Sequence, residues 1–179
     1  MRSVKKLNHH ALTSPKVRII NADAFLWLKD HGGEFDFIVV DFPDPSTYSI
    51  GKLYTTAFYE LLKQHLRPAG AAVIQCTSPY VARKSYWCVD HTLQSVGLHT
   101  TPYHVYVPSF GEWGFIIATK QAFILPSSFL PDLKFVNADS ARGMLEFPND
   151  MQQVPTGVNR LSNQILVRYF EDEWAEYVH

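Results

Sequence analysis

An open α/β sheet is the fold this sequence predicts, and two observations predict it. Segments of strand and helix character alternate three times between residues 16 and 95, ahead of two strands separated by a tight turn. The runs FDFIVV and AAVIQC are almost continuously apolar rather than alternating, the pattern of strands that a parallel sheet buries on both faces.

The elements follow in chain order. Residues 3–12 read as a short helix with Val4, Leu7 and Leu12 inward, and KVRIIN, residues 16–21, alternates and is β-branched, so it reads as a strand. Asp23 caps the helix AFLWLKDHG, whose Phe25, Leu26 and Leu28 are apolar and which stops at Gly32-Gly33. Residues 35–40 form the next strand. DFPDP then breaks it, because proline lacks the N–H and drives the preceding residue away from helix. Over residues 55–70, Ala57, Phe58, Leu61, Leu62 and Leu66 mark an amphipathic helix that Arg67-Pro68-Ala69-Gly70 ends. Residues 71–76 are a buried strand and residues 86–95 a helix stopped at Gly97. Residues 99–108 and 113–120 are strands that pair antiparallel across Ser109 to Glu112. Beyond Gln121 the texture loosens: ILPSSFLPDLKF and FPNDMQQVPTG read as loops and RLSNQILVRYF as helix. The tail is expected to dock on the sheet rather than fold alone.

Composition narrows the function classes. With 179 residues, 46% of them hydrophobic, the chain is long enough for one domain with a real core. Sixteen basic against seventeen acidic residues, with no run of either sign, argue against a nucleic-acid partner. No window reaches the ~20 apolar residues of a spanning helix, so the expectation is a cytoplasmic chain without a membrane segment. Cys76 and Cys88 sit in an apolar strand-like run and a helix-like run without metal-ligand spacing and read as reduced core thiols, and the eight histidines show no ligand spacing either, so no metal is expected. Neither a GxGxxG turn nor a GxSxG elbow is present.

Chemistry concentrates where strands end. Asp41 and Asp44 lie at a strand's C-terminal rim, where open α/β sheets hold ligands. They serve either as turn and helix caps or as an anionic pocket for a cationic substrate, one of them accepting a proton. Asp23 is either a helix cap or an acceptor for an adenine amino group. Gln75 satisfies nearby backbone or orients an amine. Tyr48, Tyr54, Tyr80, Tyr106, Phe110 and Trp113 are candidate walls of an apolar slot, whose ring faces also suit a cation.

These motifs, taken in register, resemble the spermidine synthase family, the polyamine aminopropyltransferases. KVRIINADAFLWL resembles the family's strand and Asp-Ala motif, and FDFIVVDFPDP resembles its D-x-x-D-P motif. LYTTAFYELLKQHLRPAG resembles the following helix, VIQCTSP the glutamine strand, and VPSFGEWGFIIA the proline-containing loop and terminal strand. The resemblance covers residues 1–120 as a partial catalytic domain. Residues 121–179 form a C-terminal extension docked on it, with FPNDMQQVPTGVNRLSNQ resembling one found in some members.

It implies a truncated Rossmann-like sheet of the S-adenosylmethionine-dependent methyltransferase type. The implied reaction moves an aminopropyl group from decarboxylated S-adenosylmethionine, a cosubstrate rather than a resident cofactor, to putrescine or a related amine. Asp41 is then the base. Asp44, Gln75, Tyr48 and Tyr106 are substrate-binding, and Asp23 and Ala24 lie at the adenine. Two departures accompany it: Phe42-Pro43 stands where the family has small hydroxyl residues, and the family's glycine-rich first strand and ribose-binding second strand have no counterpart. Three readings follow: an inactive relative, a fragment completed by another chain or a homo-oligomer, or a start upstream. The alternatives to catalysis of this type are a silent polyamine-binding or subunit-interaction protein and a related methyltransferase.

Overall fold

The computed structural model describes residues 11–178. Its centre is a four-stranded mixed sheet in the order β1-β2-β4-β3, formed by β1 (Phe35–Val40), β2 (Leu66–Gln75), β3 (His99–Val107) and β4 (Gly111–Thr119). β1 and β2 run parallel, and β4 pairs antiparallel with both β2 and β3. The helices are α1 (Ala24–Asp30), α2 (Tyr48–Gly51), α3 (Thr56–His65), α4 (Arg83–Ser95), α5 (Ala138–Gly143) and α6 (Ile165–Val178).

The period-two geometry of strands sorts the sheet into two faces. Val40, Ala72, Ile74, Ile116 and Ala118 are buried on one face, together with Phe58, Leu62, Tyr86 and Leu93 of α3 and α4. Along that face α1, α3, α4 and α6 lie as successive neighbours. Gly114 is required here: a Cβ would meet the Tyr86 ring at 2.3 Å and the Thr77 carbonyl at 2.8 Å. That close approach lets the Tyr86 hydroxyl donate to the Phe115 carbonyl at 3.0 Å. The opposite face is open near β1, where Phe37 and Val39 are 59% and 64% exposed.

Several expectations need correction. Residues 17–21 form no strand, and Val17, Ile19 and Ile20 are exposed. An alternating β-branched run becomes a strand only when a neighbour accepts its ladder, and β1 pairs only with β2 among the described residues. The helix over residues 55–70 stops at His65, and β2 begins at Leu66 rather than at residue 71. Pro68 and Gly70 are tolerated because the β1–β2 register slips between Phe35 and Phe37, so the strand bulges where proline gives no hydrogen bond. The helix placed at residues 3–12 falls mainly outside the described residues, and Leu12 lies in a single exposed 3-10 turn. The short helix α5, capped by Asn137, was not foreseen in a proline-rich stretch.

The tail is woven into the core. Residues 151–159 run along α4: Trp87 Nε1 donates to the Met151 carbonyl at 3.0 Å, and His91 Nδ1 lies 2.7 Å from Thr156 Oγ1. α4 has Ala82 as its N-cap and so no capping side chain of its own. Glu173 of α6 fills that role, accepting from Lys84 N at 2.6 Å, Ser85 N at 3.0 Å and Ser85 Oγ at 2.7 Å. An anion there also meets the positive end of the helix dipole. Glu173→Ala is therefore expected to cost about 2 kcal/mol, the upper range for a cap, because two amides lose their acceptor. Urea unfolding measures it, and a change below about 0.5 kcal/mol, the scale of an ordinary surface substitution, would refute the assignment.

Candidate active site

The sharp exit from β1 is held from below. Tyr54, buried in the core, directs its hydroxyl to the carbonyls of Phe42 at 3.3 Å and Pro43 at 3.1 Å. Burial, reinforced by neighbouring acidic groups, raises the ionisation of that hydroxyl above the ordinary tyrosine range, so it remains a donor. The Phe42 ring packs edge-on against Tyr54 and Phe58. The prolines and Tyr54 together fix where Asp41 and Asp44 stand.

A cavity of about 580 Å³ opens over the strand ends. Asp41, Asp44 and Gln75 line it together, with Phe110, Trp113 and Phe115 among its other walls. Asp41 is exposed at its mouth. Asp44 is half-buried, and its Oδ1 is buried with no hydrogen-bond partner among the described residues. Burial pushes the Asp44 carboxyl up to about 6. Gln75 Nε2 donates to the Cys76 carbonyl at 3.0 Å, which fixes the side chain at the rim. A buried carboxylate oxygen without a donor, beside a second carboxylate and aromatic walls, suits an ammonium ion.

Asp23 stands at the adjacent rim. Its Oδ1 caps α1 by accepting from Phe25 N and Leu26 N, and its Oδ2 pairs with Lys52 Nζ at 2.7 Å. The Lys52 hydrogen bond, then those amides, hold the Asp23 carboxyl below its ordinary value. A second cavity of about 370 Å³ is lined by Ala24, Trp27, Ile38 and Phe42, so Phe42 is a wall common to both cavities. Tyr48 and Tyr106 are 61% and 66% exposed and do not line the carboxylate cavity.

Two contributors were not foreseen. Lys52 has no local signal, since its partner is distant in sequence. His104 places Nδ1 2.5 Å from Glu112 Oε1 and Nε2 2.7 Å from the Glu146 carbonyl, tying the hairpin behind the cavity to the tail. A histidine and a glutamate astride a hairpin turn were the available clue.

Asp44 carries a stability cost. Its folded carboxyl holds a proton more tightly than the unfolded one, so stability is lost as pH rises from about 4 to about 6 and stays lower above that. Asp44→Asn removes the ionisation and is expected to raise stability at pH 7 by about 1 to 2 kcal/mol, after allowance for the solvent reaching the group. The gain should nearly vanish at about pH 3, where both states of the parent are protonated. Thermal midpoints of both proteins at the two pH values check it, and an equal difference at both would reject the burial argument.

The family model for the spermine/spermidine synthase domain matches residues 2–126. The chain is 50% identical over 171 residues to a polyamine aminopropyltransferase of Leptospira interrogans, covering 96% of this chain and 34% of that one. It is 51% identical over 170 residues to polyamine aminopropyltransferase 2 of Ralstonia nicotianae, covering 94% and 33%. Among solved structures, a spermidine synthase in complex with the transition-state analogue AdoDATO superimposes with a TM-score of 0.70 at 22% identity, covering 83% of this chain and 53% of that one. Spermidine synthase from Thermotoga maritima gives 0.69 at 21% identity. These two likenesses show the fold, and the chain spans about a third of the length of the curated relatives it matches.

Proposed function

Because the chain belongs to the spermine/spermidine synthase family, we propose that its rim cavities serve aminopropyl transfer from decarboxylated S-adenosylmethionine to a polyamine acceptor such as putrescine. The observation that carries this reading is the convergence of Asp41, Asp44 and Gln75 on one cavity, with a buried Asp44 oxygen that has no partner among the described residues. An ammonium has no lone pair with which to attack, so a carboxylate must first take its proton. In this reading Asp41 accepts it, and Asp44 and Gln75 hold the amine. The nitrogen then forms a bond to the aminopropyl carbon beside the sulfonium while the carbon–sulfur bond breaks. Its electrons neutralise the sulfur, and 5′-methylthioadenosine leaves. The neighbouring cavity, with Ala24 on its wall and Asp23 beside it, is assigned to the adenosyl part of the donor.

Residues 1–120 are the partial catalytic domain in this proposal and residues 121–179 its extension, in a cytoplasmic protein. No helix among the described residues is long and apolar enough to cross a membrane. The outer edge of β1, unpaired among the described residues, and its exposed Phe37 and Val39 support completion of the site by further polypeptide, from the same chain, a second copy or another protein.

Incubating the protein with putrescine and decarboxylated S-adenosylmethionine tests the proposal. Methylthioadenosine and spermidine are expected in equal amounts. Release of S-adenosylhomocysteine from S-adenosylmethionine would instead identify a methyltransferase, and amine binding without turnover a silent binding protein.

A further inference from the structure

Behind the carboxylate cavity, one imidazole faces an acceptor on each side. His104 lies on β3 opposite Gly114 of β4, and its side chain is 12% exposed. Its Nδ1 stands 2.5 Å from Glu112 Oε1 of β4, and its Nε2 stands 2.7 Å from the Glu146 carbonyl of the tail. A neutral imidazole has one N–H and one bare lone pair, and a backbone carbonyl cannot donate. Both contacts are therefore hydrogen bonds only when the ring and Glu112 together hold one proton more than a neutral imidazole beside a carboxylate. The other neighbours are the Phe147 ring, its centroid 4.7 Å away, and the Met144 carbonyl, which accepts from the His104 amide at 3.0 Å. Glu112 is the one charged side chain paired with the ring among the described residues.

We propose that His104 is a proton-dependent positioning residue, a latch by which residues 144–147 of the tail brace the β3–β4 hairpin, whose Val107, Phe110 and Trp113 wall the carboxylate cavity. As an imidazolium the ring donates to both sides. When one proton leaves, the other stays on Nδ1, because a carboxylate is a stronger acceptor than a carbonyl. The Nε2 lone pair then faces the Glu146 carbonyl oxygen, and the tail side of the latch opens. The latch is made of described residues alone and holds whatever chemistry the cavity serves.

Amide hydrogen exchange of the full chain, each rate divided by the intrinsic rate at the same pH, tests this at about pH 5.5 and about pH 8.5, on either side of the ordinary histidine ionisation of about 6.5. The His104 amide, bonded to Met144, and the Leu145 and Glu146 amides of the tail should be about tenfold better protected at the lower pH, the worth of one hydrogen bond from a charged donor. His104→Gln has no ring to titrate and should show equal protection at both. Glu112→Gln can turn its amide N–H to a bare Nδ1 and leave the single ring proton on Nε2, so its tail should stay protected at both. Equal protection of the parent at the two pH values would overturn the latch, and so would a step that survives His104→Gln, because another group would then be its source. Should His104→Gln fail to fold, Glu112→Gln decides alone: a step as large as the parent's would overturn the latch, and protection held at the higher pH would establish it.

Discussion

Asp41→Asn is expected to lower turnover in the aminopropyl-transfer assay by about 10² to 10⁴-fold, the usual contribution of a positioned general base. Asparagine keeps the shape of the side chain at the cavity mouth but cannot take the proton that blocks the amine lone pair. The effect should fall on kcat more than on KM, because Asp44 and Gln75 remain to hold the amine. It also carries a signature. As pH rises toward the amine's own ionisation, free amine reaches the site already deprotonated, and the variant should recover rate relative to the parent. Rates of both proteins measured up to high pH decide this. Parallel profiles, or turnover unchanged by the substitution, would remove Asp41 from the role. Asp44→Asn should behave differently: amine affinity falls while the fold becomes more stable, because Asp44 lies deeper and its charge is opposed by burial. Two carboxylates of one five-residue loop are thus separable by experiment.

Asn159→Ala is expected to destabilise the protein by about 3 to 5 kcal/mol, a large share of a typical folding free energy of about 5 to 15 kcal/mol. Asn159 is fully buried. Its Nδ2 donates to the carbonyls of Gly51 at 3.3 Å and Tyr54 at 3.0 Å, and its Oδ1 accepts from Leu166 N at 3.3 Å. Alanine would strand two carbonyls and one amide where water does not reach. Because Tyr54 also holds the Phe42 and Pro43 carbonyls, the loss should loosen the DFPDP turn and weaken amine binding from outside the cavity. Urea unfolding with a parallel amine titration measures both effects. A cost below about 1 kcal/mol, the value of one ordinary hydrogen bond, would show that the neighbours find other partners.

What the sequence made legible was whatever is written locally. FDFIVV needed only its own composition to be read as a buried strand, and the turns after Val40 and Gln75 announced themselves through proline and hydroxyl residues. Asp41, Asp44 and Gln75 were found together because parallel strands bring their C-terminal ends to one rim. KVRIIN was misread because alternation reports fitness for a sheet, not the presence of a neighbour. β2 was started late because Pro68 and Gly70 look like a stop when the slip of register that accommodates them depends on another strand. Asn159, Lys52 and Glu173 were invisible for a further reason. Each completes a hydrogen-bonding requirement set by residues far away in the chain, and nothing beside them records that debt.

The cap that Glu173 places on α4 bears on how the molecule is made. Synthesis proceeds from the N-terminus at about 5 to 20 residues per second, so the whole sheet and α4 exist as polypeptide before residue 173 is joined. Until then the first turn of α4 has open amides, and the side of that helix that packs on α6 has no neighbour there. The native packing of α4 therefore waits for α6 to be synthesised. A ribosome stalled before α6 would hold α4 uncapped and unpacked on that side.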